Sequence, residues 1–355
     1  MINFPPPARF ARWAAIRLKV MIGVIGAGAM GAAMTVQLTR AGHSVHLLAT
    51  EFDGLFVEAH RRGEAHPSLG VAFPEDMTMV EGPQWEEVLP KAEVLVLAVA
   101  TAGLVSTVRA TAPQTPGDCV WAIATKGWDE ESLMPATGVV AEELGGTDRV
   151  VAIVGPSIAS EIAQGVPTAV VCASTSPQSA ATVAELFDSK HFRTYTSKDV
   201  VGVEVGAIMK NVVAIGVGMC DGLADEFGVA AMTNAKAFVF SRGLVEMARL
   251  ARALGGKAET ILGLAGAGDL FVTALAGRNG KFGKLLGEGL TPAQALDKMQ
   301  TTVEGYANAR AAAALADKYD LELPVVDVIA KVIHYGLSPR EAIERLVSAS
   351  VEEEL

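Results

Sequence analysis

The amino-acid sequence predicts an α/β protein in which a doubly wound parallel sheet is followed by an all-helical domain. The first half of the chain alternates short Val- and Ile-rich runs with helical patterns, as βαβ units do. After about residue 200, the apolar residues follow helical spacing as far as residue 347. The length of 355 residues also exceeds what one hydrophobic core usually organises. We therefore expect two domains.

The predicted strands are short and apolar on both faces. This pattern is typical of a parallel sheet that helices cover on both sides. In such a sheet ligands bind beyond the carboxyl ends of the strands, so polar residues that follow a strand are the first candidates for a functional site. The predicted strands are residues 21–25, 45–48, 94–99, 119–124, 150–154 and 169–172.

Composition argues against several classes of protein. The chain has 29 basic and 40 acidic side chains and a net charge of −11, which predicts no nucleic-acid or anionic-membrane partner. Its 3 cysteines show no paired spacing, which excludes a disulfide framework and favours a reducing cytoplasm. The longest uncharged apolar run, residues 94–108, is shorter than the roughly twenty residues of a membrane span. The 6 histidines form no metal-ligand pattern, so no metal site is predicted, and each is interpreted as a surface or capping residue.

A glycine-rich segment directly follows the first predicted strand. Gly26 permits a tight turn, Gly28 leaves room for a pyrophosphate, and Gly31 lets the next helix, residues 32–40, pack on the strand. The N-terminus of that helix offers free N–H groups and the positive end of its dipole. The segment predicts a Rossmann-type dinucleotide site, with a purely structural turn as the alternative. The expected contacts are Gly26, Ala27, Gly28, Ala29, Met30 and Gly31.

The end of the second predicted strand bears on the choice of nicotinamide cofactor. Glu51 lies at the distance where an acidic group can accept a hydrogen bond from the free ribose 2′-hydroxyl and repel a 2′-phosphate. No arginine, which would favour the phosphate, stands beside it in the sequence. The sequence predicts NAD as the preferred cofactor over NADP. The alternative is that Glu51 points into solvent.

These observations divide the chain into three segments. We expect a dinucleotide-binding domain over residues 21–195 and a helical substrate and catalytic domain over residues 196–355. Residues 1–20 contain four basic side chains, no acidic one and three consecutive prolines. An organelle-targeting leader has such a composition. We favour an upstream extension or a misplaced start, because Met21 stands directly before the first strand.

A lysine in the helical half is the main candidate for acid–base chemistry. On a helix, the neighbours of Lys210 three and four residues away are small or apolar, which would remove water from its ammonium group. Desolvation lowers the pKa of an ammonium group and suits it to donate and accept protons. Asp269 follows a glycine-dense turn and is able to pair with such a lysine. The alternative is that Lys210 extends its tip to the surface.

Other polar groups are candidates for binding a substrate. Lys126 follows the strand at 119–124, and Gly155 and Ser157 follow the strand at 150–154. Ser157 is able to cap the next helix, whose N–H groups would face an anion. Arg278 and Asn279 lie in a polar loop, where a guanidinium beside an amide suits a phosphate dianion.

The ordered set of motifs resembles the cytoplasmic NAD(P)-dependent glycerol-3-phosphate dehydrogenases of bacteria. Most of the motifs are weak singly, but they occur in the order of the family over about residues 21–310. The matching segments are residues 26–31, 125–127, 155–157 with Glu161, 192–193, 202–204, Gly206 with 210–212, 221–222, 242–243 with 246–247, 263–270, 278–279 with 282–283, and 303–305.

The resemblance implies reversible hydride transfer between dihydroxyacetone phosphate and sn-glycerol 3-phosphate, supplying glycerol 3-phosphate for phospholipid synthesis. It implies that Lys210 is the proton donor or acceptor and that Asp269 and Lys126 are catalytic residues beside it. The implied substrate contacts are Lys126, Gly155, Ser157, Asn211, Asp269, Arg278 and Asn279. Further implied cofactor contacts are Lys126, Ala159, Arg278 and Glu304.

The chain departs from the pattern of the family at several positions. Thr50 stands where arginine is common, and Gly277 stands where serine usually precedes the Arg-Asn pair. The loop from Asp269 to Gly277 is shorter than usual, and residues 223–233 are part of a longer connection. These departures leave open a different small phosphorylated ketose as substrate.

Two further functions remain alternatives. A β-hydroxyacid dehydrogenase shares the expected architecture, although Arg278 and Asn279 favour a phosphorylated substrate. A non-catalytic cofactor-binding regulator would keep the glycine segment but would need neither Lys210 nor Asp269. The apolar helical domain also suggests a homodimer.

Overall fold

A computed structural model of the protein describes residues 20–129 and 131–348. The described residues contain one 8-stranded sheet with the order β3-β2-β1-β4-β5-β6-β7-β8. The strands are β1 Ile22–Ile25, β2 Val45–Ala49, β3 Met77–Glu81, β4 Val94–Leu97, β5 Val120–Ile123, β6 Val150–Val154, β7 Thr168–Ala173 and β8 Phe192–Ser197. Residues 1–19 of the predicted leader or extension at residues 1–20 lie outside the described residues.

All six predicted strands are present, and two strands were missed. β3 and β8 are the two edge strands of the sheet, and each carries polar side chains. A search for runs that are apolar on both faces therefore does not detect them. β8 extends to Ser197, two residues beyond the predicted domain boundary at 195.

The sheet is parallel, as predicted for a doubly wound fold, except at one pair of strands. β7 runs antiparallel to β6, and β8 is parallel to β7. The only helix between β6 and β7 is Ala159–Gln164, with 6 residues. At about 1.5 Å per residue it is roughly half the length of β7, too short to carry the chain back to the start of the sheet. The next strand therefore runs back antiparallel.

Helices cover both faces of the sheet, as predicted. Two apolar clusters fill the space between helices and strands, one on each face. The helices of this half are α1 Ala29–Arg40, α2 Gly54–Arg61, α3 Trp85–Val88, α4 Thr101–Thr111, α5 Ala136–Leu144, α6 Ala159–Gln164 and α7 Pro177–Phe187.

The second half is helical and is built around one long helix. Every residue of α8 from Gly202 to Cys220 is buried, and the side chain of Asp199 caps the helix by accepting a hydrogen bond from the Gly202 N–H at 3.0 Å. The helices are α8 Val200–Gly222, α9 Thr233–Ala253, α10 Ala258–Ile261, α11 Asp269–Ala276, α12 Arg278–Gly287, α13 Pro292–Met299, α14 Glu304–Tyr319, α15 Pro324–Tyr335 and α16 Pro339–Val347. A π-helical turn, Leu264–Gly268, precedes α11.

Two described segments are long and apolar enough to cross a membrane by length and composition alone. The first, Val200–Gly222, is α8, and 89% of its most apolar window is buried inside the protein. The second, Ala258–Ala276, is 33% buried by the same measure and includes the π-helical turn. Core helices of water-soluble proteins meet the same criteria, so these segments are weak evidence for a membrane span.

Candidate active site

The glycine segment forms a tight loop at the carboxyl end of β1. The helix that follows begins at Ala29, three residues earlier than predicted, so Ala29, Met30 and Gly31 make its first turn. A Cβ on Gly31 would collide with the carbonyl oxygen of Gly26, which explains why residue 31 must be glycine. A Cβ on Gly28 would meet no atom of the described residues within 4 Å. The open space at Gly28 and the free N–H groups of the first turn fit a dinucleotide pyrophosphate.

Two residues that the sequence analysis did not assign hold this loop in place. The Ala27 N–H donates to Oδ2 of Asp53 at 2.9 Å, and Nε2 of His66 lies 2.9 Å from the Ala27 carbonyl oxygen. Ala27 therefore positions the loop, because both of its backbone groups are already bonded within the protein. The interpretation of His66 as a surface residue is wrong: it is 1% exposed and stacks on Phe56.

Glu51 follows β2 and is exposed beside a cavity of about 520 Å³. The fold brings Arg61 into the same cavity, although no arginine stands beside Glu51 in the sequence. Nη2 of Arg61 lies 2.9 Å from each carboxylate oxygen of Glu81, which also lines the cavity. The one guanidinium in this cavity is thus paired, and the two carboxylates make the cavity negative.

The centre of the candidate site is a carboxylate shared by two lysines. Nζ of Lys210 lies 2.6 Å from Oδ1 of Asp269, and Nζ of Lys126 lies 2.9 Å from Oδ2. The side chains of Lys210, Lys126 and Asp269 are 8%, 11% and 2% exposed. Lys210 is therefore desolvated, as predicted, and does not extend its tip to the surface. Lys210 also donates to Oγ1 of Thr273 at 3.0 Å, a contact that the sequence analysis missed.

Close packing of the π-helical turn against α8 produces this geometry. A Cβ on Gly206 would lie 2.6 Å from the carbonyl oxygen of Ala265, so only glycine lets the turn approach α8 this closely. α11 starts at Asp269, directly after the turn, which places the carboxylate opposite Lys210. Local π-helical geometry is frequent at functional sites. The sequence predicted a glycine-dense turn here but not its π-helical form.

The two lysines differ in their affinity for a proton. Burial lowers the pKa of Lys210 to about 8, against the opposing attraction of Asp269. Burial also acts to lower the pKa of Lys126, but the charge and hydrogen bond of Asp269 outweigh it and the pKa is raised. The repulsion between the two ammonium groups contributes to the lowered pKa of Lys210. Near neutral pH Lys126 is a fixed cation, while Lys210 is able to exchange its proton.

A chain of amide contacts connects the lysines to two further helices. Asn211, the residue after Lys210, donates to Oε2 of Glu304 at 3.1 Å. The side-chain oxygen Oδ1 of Asn211 accepts from Nδ2 of Asn279 at 2.8 Å, and Oδ1 of Asn279 accepts from the Gly305 N–H at 2.9 Å. The predicted residues Asn211, Asn279 and Glu304 therefore lie together, at the N-termini of α12 and α14 and the middle of α8.

Arg278 begins α12 and is exposed, and its Nη1 donates to Oγ1 of Thr301 at 3.3 Å. The residue before it, Gly277, is the whole connection between α11 and α12. A Cβ on Gly277 would collide with the carbonyl oxygen of Thr273, so the shortened loop leaves no room for a side chain. This contact explains glycine where the family usually has serine.

The loop after β6 lies beside the π-helical turn. A Cβ on Gly268 would be 3.6 Å from Cδ of Pro156. Ser157 does not cap the following helix, so this prediction is wrong. α6 starts at Ala159 and its N-cap is Ile158, so Ser157 lies one residue before the capping position. The Ser157 hydroxyl donates instead to the carbonyl oxygen of Gly155 at 2.8 Å. Gly155 and Ser157 therefore shape the loop, and Ala159 opens the helix beyond it.

The site combines a dinucleotide loop at the end of a parallel sheet with buried acid–base groups in the adjoining helical half. Among the described residues, no group of three His, Cys, Asp or Glu side chains is placed to hold a metal ion. The fold and site define the class of dinucleotide-dependent oxidoreductases.

Comparison with known proteins identifies the family within this class. The family models for the N-terminus and the C-terminus of NAD-dependent glycerol-3-phosphate dehydrogenase match residues 21–180 and 199–344. The chain belongs to this family.

Individual relatives are similar over almost the whole chain. A glycerol-3-phosphate dehydrogenase [NAD(P)+] of Agathobacter rectalis is 37% identical over 92% of this chain and 95% of its own. An NADP(+)-dependent glycerol-3-phosphate dehydrogenase of Archaeoglobus fulgidus is 34% identical over 93% of this chain and 99% of its own. The crystal structure of the Coxiella burnetii glycerol-3-phosphate dehydrogenase matches with a TM-score of 0.83 at 33% identity, covering 92% of this chain and 98% of that one. The predicted family, fold class and NAD(P)-dependent glycerol-3-phosphate dehydrogenase activity are thereby confirmed.

Proposed function

We propose that this chain interconverts dihydroxyacetone phosphate and sn-glycerol 3-phosphate with Lys210 as the proton donor and acceptor. The observation that carries the proposal is the contact of 2.6 Å between Nζ of Lys210 and Oδ1 of Asp269 in a buried site. The nicotinamide cofactor, when bound, exchanges a hydride with the reacting carbon. As the ketone is reduced, its oxygen gains negative charge, and the Lys210 ammonium group donates the proton that forms the hydroxyl group.

The second lysine has a different part in this proposal. Lys126 keeps its charge because Asp269 raises its pKa against the effect of burial. A fixed cation beside the reacting oxygen stabilises the developing negative charge without giving up a proton. Asp269 orients both ammonium groups, since each of its oxygens accepts from one of them. In the oxidation direction, neutral Lys210 would take up the proton of the substrate hydroxyl group.

Arg278 supports recognition of the substrate phosphate. Its guanidinium is exposed at the N-terminus of α12, where backbone N–H groups and the helix dipole also favour an anion. Asn279, the next residue, has one amide hydrogen beyond the one that bonds Asn211. The two residues together offer the phosphate a charge and a neutral donor.

The preferred cofactor, the cellular compartment, the metabolic role and the oligomeric state are also proposals. The cavity at the end of β2 supports NAD as the preferred cofactor, because Arg61 is paired with Glu81 and Glu51 leaves the cavity with a net negative charge that would repel a 2′-phosphate. The three cysteines are buried and free, which fits a reducing cytoplasm. Supply of glycerol 3-phosphate for phospholipid synthesis and assembly as a homodimer remain predictions.

A parallel assay of substrates tests the proposal. Oxidation of NADH and of NADPH is followed with dihydroxyacetone phosphate, a four-carbon ketose phosphate and a β-keto acid. We expect the highest kcat/KM with dihydroxyacetone phosphate and NADH. Arg278→Ala should raise KM for dihydroxyacetone phosphate by about tenfold or more, with NADH affinity retained, because a clamp on a non-reacting group supplies binding energy. Equal turnover of the β-keto acid, or an unchanged KM in the variant, would contradict the proposal.

A further inference from the structure

A second buried carboxylate of the helical half contacts the sheet half of the chain. Glu204 lies on α8, six residues before Lys210, and is 5% exposed. Its Oε1 accepts a hydrogen bond from the Thr137 N–H at 2.9 Å, and its Oε2 accepts from the Thr137 hydroxyl. Thr137 is the second residue of α5, the helix that follows β5. Glu204 therefore joins α8 to a helix of the sheet half.

This contact takes the place of an N-cap on α5. The residue before α5 is Pro135, and no side-chain capping bond is made there. The N–H groups of a first helical turn need acceptors, and a carboxylate at this end also interacts favourably with the helix dipole. Glu204 supplies that acceptor from another helix, so the start of α5 is held on α8.

The segment between β5 and α5, residues 124–135, carries Lys126. Within this segment Trp128 pairs with Pro135 in an isolated β-bridge. The pairing brings the residue two positions after Lys126 next to the residue that precedes α5. Trp128 is 3% exposed and belongs to the apolar cluster that surrounds α8. The position of Lys126 is thus coupled to the start of α5, where Glu204 binds.

The hydrogen bonds at the other end of this segment stay within the sheet half. The Thr125 hydroxyl donates to the carbonyl oxygen of Val99 at 2.7 Å, and the Thr101 hydroxyl donates to the carbonyl oxygen of Lys126 at 3.4 Å. These bonds hold the segment on the sheet, but they do not set its distance from α8. The bonds to Glu204 span the two halves of the chain and do set that distance.

Stability alone does not explain a carboxylate at this place. Burial raises the pKa of Glu204 to about 7, and the two hydrogen bonds from Thr137 oppose this effect. Taking an ionised carboxylate out of water costs free energy, which an apolar side chain of similar size would avoid. A carboxylate here is better explained by the particular geometry that its two oxygens impose on α5.

We propose that Glu204 is a positioning residue that holds Lys126 against Asp269. This inference rests on the proposed function, which it deepens by adding a residue that acts through Lys126. Besides burial, which lowers the pKa of Lys210 most, repulsion by Lys126 lowers it, whereas Asp269 of α11 and Glu304 of α14 raise it. If Lys126 is no longer held in place, Lys210 loses this repulsion and its pKa should rise.

The pKa of Lys210 in the enzyme without substrate tests this inference. It is measured by NMR on protein that carries ¹³C at lysine Cε, and the Lys210 signal is assigned by its loss in Lys210→Ala. We expect Glu204→Ala to increase the proton affinity of Lys210 by about threefold or more. Glu204→Gln should stay close to wild type, because its amide accepts from the Thr137 N–H and also pairs with the hydroxyl.

Steady-state kinetics provide a second measurement. In Glu204→Ala, kcat for dihydroxyacetone phosphate should fall by about tenfold, because a displaced cation stabilises the developing negative charge less well. The Kd for NADH should stay within about twofold of wild type, since the glycine loop is untouched. Thr137→Val, which removes one of the two bonds, should change kcat and the pKa of Lys210 in the same directions by less, and it serves as the test if Glu204→Ala does not fold.

Two controls separate positioning from a loss of stability. Glu246→Ala removes another buried glutamate, which accepts from the Val325 and Val326 N–H groups within the helical half. It should lower the melting temperature but leave the pKa of Lys210 unchanged. In a Lys126→Ala background, Glu204→Ala should cause no further rise in that pKa, because the two residues act through one contact.

An unchanged pKa of Lys210 in folded Glu204→Ala and Thr137→Val overturns the inference. An equal further rise in the Lys126→Ala background, or a rise in Glu246→Ala, overturns it as well. Because the NMR titration needs no substrate, these outcomes do not depend on whether the chain reduces dihydroxyacetone phosphate. Failure of the proposed function would appear instead in the wild-type assay.

Discussion

At the scale of single residues, the two lysines that share Asp269 differ in their pKa and in their proposed roles. Burial lowers the pKa of Lys210 against the attraction of Asp269, whereas the charge and hydrogen bond of Asp269 outweigh burial at Lys126 and raise its pKa. Lys210 lies on the buried helix α8 and contacts Thr273 of α11, and the repulsion by Lys126 adds to the lowering of its pKa. One lysine is thereby suited to proton transfer and the other to holding charge.

Lys210→Ala should reduce kcat for dihydroxyacetone phosphate by about 10² to 10⁴, the range expected when a general acid is lost. NADH affinity should be retained, because the glycine loop is untouched. Lys298→Ala, which removes an exposed lysine of α13, is the control and should retain full activity. Residual kcat above about a tenth of wild type in a folded Lys210→Ala enzyme would refute the role of this lysine.

Thr273→Val should move the pH profile of ketone reduction. The Thr273 hydroxyl accepts from Lys210 and so favours the charged ammonium form. Its loss should lower the pKa of Lys210 further below about 8, so the alkaline decline of kcat should begin at a lower pH. Rate measurements between pH 6 and about 9.5 check this prediction. A profile that keeps its midpoint while kcat falls would indicate a structural role only.

Sequence reasoning found the charged residues of the site more readily than the neutral ones. Lys210 stood out because its helical neighbours are small or apolar, and that reasoning depends only on spacing along one helix. One feature of the sequence could have indicated Thr273: it lies four residues after Asp269, on the same helix face. No feature of the sequence indicated Asp53 and His66, because their contacts with Ala27 join distant segments of the chain.

At the scale of elements, the junction between α11 and α12 fixes the position of Arg278 and Asn279, the proposed phosphate-binding residues. Gly277→Ser would restore the residue that is usual in the family, but its Cβ would collide with Thr273. We expect this overpacking to destabilise the protein by ~1–3 kcal/mol and to raise KM for dihydroxyacetone phosphate. Thermal unfolding and steady-state kinetics measure both effects.

The control for this junction is a glycine with free space around it. A Cβ on Gly117 would meet no atom of the described residues within 4 Å, so Gly117→Ser should change neither stability nor KM. A Gly277→Ser enzyme as stable as wild type, with a lower KM, would show that the junction adapts to a side chain.

Glu246 of α9 joins two helices and should make stability depend on pH. It accepts from the Val325 and Val326 N–H groups at 2.7 and 3.0 Å, at the start of α15. Burial raises its pKa to about 7 from an ordinary 4.5. Its contribution to folding is complete below about pH 4.5 and is lost as the pH rises to about 7, because the unfolded chain releases the proton first. The change is on the order of 3 kcal/mol.

Comparison of variants isolates this effect from other titrating groups. The melting temperature of Glu246→Gln should fall less than that of wild type between pH 5 and about 7.5. Glu259→Gln, an exposed carboxylate on α10, should follow the wild-type curve. Parallel curves for wild type and Glu246→Gln would contradict the assignment.

Sequence patterns predicted best the strands that are buried on both faces. β1 and β4 are buried on both faces, and their apolar runs revealed them directly. β3 and β8 have one neighbour each and mixed side chains, so periodicity could not distinguish them from loops. The reversal of β7 depends on the length of α6, which a search for apolar runs does not measure.

At the scale of the whole molecule, residues from both halves of the chain form the candidate active site. Lys126 comes from the sheet half, and its carboxylate partner Asp269 lies 143 positions later in the helical half. Each half therefore lacks a complete site. The resemblance to a family ordered these distant motifs along the chain, but only the fold shows that Asp269 contacts both lysines.

The burial of α8 protects the amide hydrogens around Lys210 from solvent. From Gly202 to Cys220 every residue is enclosed, so these amides should exchange with deuterium only when the whole helical half opens. Amides of the exposed connection after α8, residues 225–231, should exchange far sooner through local opening. Mass spectrometry of exchanged peptides would distinguish the two groups. We therefore expect Lys210, the proposed proton donor, to lie on the part of the molecule that opens last, and activity to persist while outer loops open locally.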